Sequence, residues 1–518
     1  MVVVVVAMLA SGCVKVGPDF AKPDATVMPN WLETGSYKQL TSKTEDYHDW
    51  WRTFNDPVLN KLIQNAYQQN LPLRVAGVRV LGARAQLGVA IGELYPQSQK
   101  AVGEVMKNRI SQTSPTGGTG APTNFWLSQI GLSAGWEIDF WGKFRRAVES
   151  ADASLVATVA DYDNVLVSLT SDVATAYILY RTLEKRLSIT RQNVEVQKKA
   201  LEIATARWQG GTTSLRDVEQ ALTVLNGTEA NIPTLESRAQ QTQNALCILM
   251  GMPPRDLGPL LGSKSDIPAP PPQVAVGIPA DLMRRRPDIQ SAEMRAAAQC
   301  AQIGVTKAEL FPAFSLTGAF GFQASTVPPF ELANMVDWRS RAGVIGPSFQ
   351  WNLFNYGQIT NQVRFQDARF QELLIAYQNT VLQAQREVED ALIAFLKSQQ
   401  RAEKLAEATA AAKKSMDLAM LQYSEGITDF TTVLTAEQNL LAYQDSLAST
   451  LGDISGNLVA VYKAMGGGWQ IREGQDFLPE SIKETMAKRT NWGKLITPTA
   501  FVPPKPEDRK PDIRLPVW

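Results

Sequence analysis

Between Lys143 and Gln209 the chain has neither Gly nor Pro, and Val159, Leu166, Val173, Tyr180, Leu187, Val194, Leu201 and Trp208 recur every seven residues. Leu155, Tyr162, Leu169, Ala176 and Leu183 form a second seam four residues earlier in each heptad. Spacings of four and three line one face of a helix, and a stripe this long predicts coiled-coil packing against neighbouring helices. At ~1.5 Å rise per residue the helix would be roughly 100 Å long, several times a bilayer core.

The pattern occurs twice. Gln358 to Glu425 also lacks Gly and Pro, and a shift of about 215 residues carries the first seam onto Leu374, Val381, Val388, Phe395, Ala402, Thr409, Met416 and Tyr423. The same shift carries Trp136-Glu137-Ile138 and Trp141-Gly142-Lys143 onto Trp351-Asn352-Leu353 and Tyr356-Gly357-Gln358, and Glu93-Leu94-Tyr95-Pro96 onto Glu309-Leu310-Phe311-Pro312. One unit used twice is the economical reading. The boundaries it predicts are a signal remnant at 1–12, an extended N-terminal segment at 13–54, a first repeat at 55–252, a linker at 253–279, a second repeat at 280–467 and a tail at 468–518.

Ahead of each long helix the period changes to two. Trp126, Ile130, Leu132, Ala134 and Trp136 alternate with Gln129, Gly131, Ser133 and Gly135, and Phe314, Leu316, Phe320 and Phe322 alternate with Ser315, Thr317, Gly321 and Gln323. These are hairpins at about 97–136 and 313–353, apolar on one face and small or polar on the other. Trp126, Phe330 and Trp338 stand at strand ends, where aromatic side chains mark a membrane interface. A sheet in lipid must close, and four strands per chain cannot, because the smallest membrane barrels have about 8. Two chains would supply eight strands around a filled lumen and three would supply twelve around an open pore; small, polar inward faces favour three.

Past each long helix comes a tight turn, with Gly210 and Gly211 in the first copy and Gly426 in the second, and then a returning helix at 214–250 or 429–465. Each pair is an antiparallel hairpin whose tip lies far from the strands. Asp56 with Pro57 reads as the cap and first residue of a short helix that Trp50, Trp51 and Phe54 precede. Arg284-Arg285-Arg286-Pro287 reads as a charged helix start.

Composition narrows the chemistry. With 51 basic and 51 acidic residues there is no nucleic-acid footprint. One histidine, His48, and three cysteines, Cys13, Cys247 and Cys300, supply no metal-ligand motif, so no metal or cofactor is expected. Gly131-Leu132-Ser133-Ala134-Gly135 matches the Gly-x-Ser-x-Gly elbow of hydrolases, but Ser133 falls inside an alternating strand and His48 lies upstream, so no enzyme is expected. A coiled-coil scaffold without a channel would explain the heptads and leave the amphipathic hairpins unexplained.

The N-terminus carries an address. Val2 to Leu9 is apolar but too short to span a bilayer, and it ends at Ala10-Ser11-Gly12-Cys13, which resembles the lipobox of bacterial lipoproteins, where the signal is cut before a cysteine that then carries lipid such as palmitate. Val16-Gly17-Pro18-Asp19-Phe20 with Pro23 resembles the stretch that follows that cysteine in the TolC-like outer membrane factor family. Trp136 to Lys143, Arg285-Arg286-Pro287-Asp288-Ile289 and the repeated Gly211 and Gly426 turns extend the resemblance over about residues 9 to 470.

The resemblance implies a mostly α protein with membrane β-structure: a homotrimer whose 12-stranded outer-membrane barrel continues into a periplasmic helical tunnel. It implies the passive exit channel of a tripartite pump, joined to a periplasmic adaptor and an inner-membrane transporter of the RND type, and carrying drugs or other small toxic compounds. Metal-ion efflux and type I protein secretion use the same kind of duct. Members of the family close the periplasmic tip with an Asp and an Arg in a Leu-Asp-Ala-Gln-Arg stretch; here the residues are Leu434-Thr435-Ala436-Glu437-Gln438. A gate at this tip would then rest on Asp429, Asp217, Glu437 and Tyr423, with Thr435 and Gln438 in place of the two charges. A ring of such carboxylates would attract cations.

Overall fold

A computed structural model of the chain describes residues 15–32, 40–41, 47–111, 113, 122–262, 266–271, 274–327 and 331–497. Cys13, Phe330 and the signal remnant lie outside these.

The first repeat runs through α1 (Pro57–Gln69), α2 (Leu71–Gly92), β1 (Ser98–Arg109), β2 (Asn124–Ile138), α3 (Lys143–Gln209), α4 (Leu215–Glu229) and α5 (Asn231–Leu249). The second runs through α6 (Pro287–Ala308), β3 (Ala313–Ser325), β4 (Arg341–Gln350), α7 (Gln358–Ser424) and α8 (Phe430–Ala464), and α9 (Glu480–Arg489) follows in the tail. α3 and α7 each have 67 residues, or roughly 100 Å at ~1.5 Å per residue. Each begins at a glycine in the left-handed region, Gly142 at φ 78° and Gly357 at φ 80°. The first returning helix, expected to be continuous, is two. Pro233 has no N–H, and its ring would meet the carbonyl four residues back, at Glu229, where α4 ends.

The heptad seams are where the helices meet. Leu166 and Val173 of α3, Val388 and Phe395 of α7 and Leu458 and Val461 of α8 are fully buried in one core with Trp50, Leu59, Leu62 and Tyr462. Trp50 stacks on Tyr462 at 5.2 Å between ring centroids and 24° between planes. Asp56 caps α1 by accepting from the Val58 and Leu59 amides at 2.8 and 3.2 Å, and its second oxygen accepts from the Tyr177 hydroxyl at 2.8 Å. The cap therefore also fastens α1 to α3.

The four long strands form one antiparallel sheet in the order β1-β2-β3-β4. Its outer edges, on β1 and β4, carry no further strand among the described residues. Register places Leu132 opposite Phe320, Ile130 opposite Phe322 and Trp136 opposite Leu316, so the apolar residues of the two hairpins share one face.

The two ends of the chain cover corresponding grooves. Lys22 pairs with Glu293 at 2.8 Å, the Asp24 carbonyl accepts from Gln378 at 3.3 Å, and the Thr26 carbonyl accepts from Gln385 at 3.0 Å. The counterparts of those three sites in the first repeat are Gly77, Asp163 and Thr170. There the Phe477 carbonyl abuts Gly77, Arg472 makes a two-pronged buried pair with Asp163, and Gly468 packs against Thr170. The N-terminal segment descends its groove away from the sheet, and the tail climbs the matching groove toward it.

Candidate functional site

The sheet has a lipid-like face and a water-like face. On the first, Val105, Trp126, Ile130, Leu132, Phe320, Ile345 and Phe349 are exposed, an arrangement that only a cover of lipid or protein makes favourable. On the second, Gln129 is opposite both Glu104 and Gln323, and Ser133 is opposite Lys100 and Ala319. Ser133 thus sits in the middle of β2 and not at a strand-to-helix elbow. Gly131 and Gly321 face each other across β2 and β3, and a Cβ on Gly321 would lie 2.7 Å from the Gly131 Cα. Two bare residues let the strands curl toward that face.

Aromatic side chains mark both ends of the apolar band. At the end away from the helices, Lys107 lies over the Trp126 ring at 5.7 Å and Arg341 lies over Trp338 at 4.8 Å. The other end was missed. There the indoles of Trp136, Trp141 and Trp351 donate to the carbonyls of Leu94, Pro312 and Leu310 at 3.2, 2.8 and 3.0 Å, and Trp141 stacks on Phe311 at 4.6 Å. Trp136 with Trp351, and Glu93-Leu94-Tyr95-Pro96 with Glu309-Leu310-Phe311-Pro312, were visible as marks of duplication; that the indoles reach those stretches needed the structure. From Trp126 to Trp136 along β2 is roughly 34 Å, which at a tilt of ~40° gives a band of ~26 Å, about the height of a barrel's apolar girdle.

At the far end the two hairpin turns are built alike. The Gly211 and Thr212 amides donate to the Trp208 and Arg207 carbonyls at 2.9 and 3.0 Å, and the Gly426 and Ile427 amides donate to Tyr423 and Gln422 at 3.0 and 2.8 Å. Both are Schellman closures, and Gly211 at φ 73° and Gly426 at φ 81° supply the left-handed residue. Gly210, at φ −76°, needs no glycine.

The gate candidates fall into two sets. Tyr423 and Asp217 come together: Asp217 accepts from the Thr213 hydroxyl and, at 3.5 Å, from the Tyr423 hydroxyl, inside a tip core with Phe430, whose ring is 5.0 Å from that of Tyr423. Burial, then the nearby Asp217 charge, pushes the Tyr423 hydroxyl above its ordinary pKa. Glu437 lies on the buried stripe of α8 with Val433, Ala436 and Leu440; it is 4% exposed and its Oε1 has no hydrogen-bond partner. Burial alone pushes its carboxyl up to about 7. Asp429, Thr435 and Gln438 are exposed. Asp429 is the cap of α8, accepting from the Thr432 amide at 3.1 Å and its hydroxyl at 2.9 Å, and the Thr435 hydroxyl donates to the Thr431 carbonyl at 2.8 Å.

Sequence did not single out Arg207. Its guanidinium lies 4.6 Å from the Tyr423 ring centroid and donates to the Tyr423 carbonyl, so the first hairpin grips the second through one side chain. At the end of a long helix an arginine reads only as a favourable charge on the dipole.

A family model described as outer membrane efflux protein matches residues 62–252 and 278–467. The chain is 31% identical over 428 residues to the pyoverdine export outer membrane protein OpmQ of Pseudomonas putida, spanning 81% of this chain and 88% of that one. It is 30% identical over 471 residues to nodulation protein T of Rhizobium leguminosarum bv. viciae, spanning 90% and 92%. Among solved structures it superposes on the outer-membrane channel OprN with a TM-score of 0.82 and 32% identity, over 88% of this chain and 99% of that one.

Proposed function

The chain belongs to the outer membrane efflux protein family, and from that premise we propose that three copies of it form the exit duct of a tripartite efflux pump. The observation that carries the reading is a four-stranded sheet with an apolar outer face and two edges that are unpaired among the described residues, standing on helices roughly 100 Å long. In lipid those edge groups must be bonded within protein. Joining β4 of one protomer to β1 of the next around a threefold axis closes twelve strands, enough to leave an open, polar lumen.

The repeat also calls for a neighbouring protomer. α6 packs in the groove between α3 and α7 of its own protomer, whereas its counterpart α2 packs on α3 and makes no comparable contact with α7 among the described residues. α2 is apolar enough to cross a membrane by length and composition, and it leaves Leu71, Val75, Val78 and Val89 exposed. By the logic of the repeat, the missing neighbour is α7 of an adjacent protomer, whose Phe365, Ile375 and Leu382 are exposed as well. Covering both faces would contribute about 25 cal/mol for each Å² of apolar surface buried.

In this reading a lipid on Cys13 holds the duct in the inner leaflet of the outer membrane, since Val16, three residues on, donates its amide to the Trp141 carbonyl at the inner aromatic belt. The helical hairpin tips meet a periplasmic adaptor, and an inner-membrane transporter of the RND type supplies the energy. The duct itself conducts passively.

Two measurements test this. Light scattering on detergent-extracted protein should give three chains per particle, with a measurable conductance after reconstitution; a water-soluble monomer without conductance would return the chain to the scaffold reading. Gly304 touches Arg146, and their repeat counterparts are Gly88 and Asn361. Gly88→Cys combined with Asn361→Cys should cross-link protomers up to trimers on oxidation. Two reactive cysteines that never cross-link would rule out the packing.

A further inference from the structure

Beyond the Val16 amide, the stretch Val16-Gly17-Pro18-Asp19 is held by a guanidinium engaged at all three of its nitrogens. Arg146, in the first turn of α3 and 3% exposed, donates Nε to the Val16 carbonyl at 3.1 Å and Nη2 to the Gly17 carbonyl at 3.2 Å. Nη2 also reaches the Asp19 carboxylate at 2.8 Å, and Nη1 reaches Glu149 at 2.7 Å. Lys15 adds a second cation on Glu149. The rigid fork suits such a cluster of carbonyl and carboxylate oxygens, and a buried guanidinium with fewer of them would be costly.

Shape completes the site. Gly17 has φ 95°, and a Cβ there would lie 2.5 Å from the Gly304 Cα of α6; one on Gly304 would lie 2.8 Å from the Val16 carbonyl oxygen. Beside them the Val16 amide donates to the Trp141 carbonyl at 3.0 Å, and the Cys300 thiol lies 3.7 Å from the Pro18 carbonyl. The repeat counterpart of Arg146 is Asn361, so the long helix carries an arginine at this place in one copy only.

We propose that Arg146, Gly304 and the Trp141 carbonyl form a socket for Val16–Asp19, and that Arg146 is the positioning residue for the lipid anchor. The proposal rests on the reading of Cys13 as lipid-bearing. Three residues reach at most ~10 Å, so the socket confines that cysteine to the ring of Trp141 and Phe311, beside its own protomer. The acyl chains then enter the membrane at the root of the barrel their chain helps to build, and the socket holds the segment whether or not lipid is attached.

Hydrogen–deuterium exchange on the detergent-extracted particle tests this in wild type, Cys13→Ser, Arg146→Gln, Arg146→Lys and Gly17→Ala. The Val16 amide should exchange at least tenfold faster in Arg146→Gln and Gly17→Ala and to an intermediate degree in Arg146→Lys. The Met28 and Leu32 amides, which donate to Gln385 and Glu389, should stay protected, and so should the oligomer. Gly17→Ala opens the socket from the segment's side, so it remains informative if Arg146→Gln fails to fold. Unchanged Val16 exchange in both variants, or release by Cys13→Ser alone, would overturn the socket. Palmitate incorporation by wild type and not by Cys13→Ser reports separately on the anchor. Wild type that takes up no palmitate overturns the anchor assignment, and with it the positioning role, even if Val16 stays protected.

Discussion

Glu437 is a carboxyl on a helix face otherwise made of Val433, Ala436 and Leu440. In the unfolded chain it titrates near 4.5 and in the folded tip near 7, so between those values the folded state holds the proton more tightly. The stability this lends is complete below about 4.5 and is lost as pH rises through about 7, at a slope of up to ~1.4 kcal/mol per pH unit and a total of roughly 3 kcal/mol. Glu437→Gln should remove that part of the pH dependence and leave the protein more stable than wild type at pH 8, as read by thermal unfolding from pH 5 to 8; parallel curves would mean the carboxyl is solvated. Arg207→Ala should remove the ring contact and the carbonyl bond to Tyr423, worth about 1–3 kcal/mol together. Single-channel conductance in planar bilayers should rise, and an unchanged trace would take Arg207 out of the tip closure. Gly211 and Gly426 were legible in sequence because a helix end asks for a left-handed residue. Arg207 was not, because its partner lies on the other repeat and no local rule connects them.

Among the elements, the long helices were fully legible. Their heptads run unbroken from Lys143 to Gln209, and the structure ends the helix at those residues. The break at Ala230 was legible in principle from Pro233 and was passed over because the leucine spacing continues across it. The strands were visible as alternation, but their curl was not, since Gly131 and Gly321 read as small inward residues until register set them face to face. Gly321→Val should press a side chain into the Ile130 carbonyl and the Gly131 Cα, a cost of about 1–3 kcal/mol per copy. Assembled oligomer in outer-membrane fractions should fall severalfold, with soluble helix content preserved by circular dichroism; normal assembly would show that curvature is set elsewhere.

For the whole molecule, the duplication gave the plan and the unpaired sheet edges gave the need for partners. What sequence did not disclose was how the ends of the chain are used. Residues 15–32 and 468–497 have no periodicity, so nothing in them announces that they lie in corresponding grooves. Their contacts are individual pairings with residues far away in sequence, such as Gln385 to the Thr26 carbonyl and Arg472 to Asp163.

That use of the ends sets a counting rule for anything that grips the duct. In the proposed trimer, two similarly built units per chain offer six comparable seats at the hairpin tips, where both turns end in the same Schellman closure. Around the waist the equality is lost, because one groove in each pair is filled by a descending segment and the other by an ascending one with different side chains. A ring of six like subunits can therefore sit on the tips with every member satisfied. A collar that recognises the waist must come in threes, or in sixes of two alternating kinds.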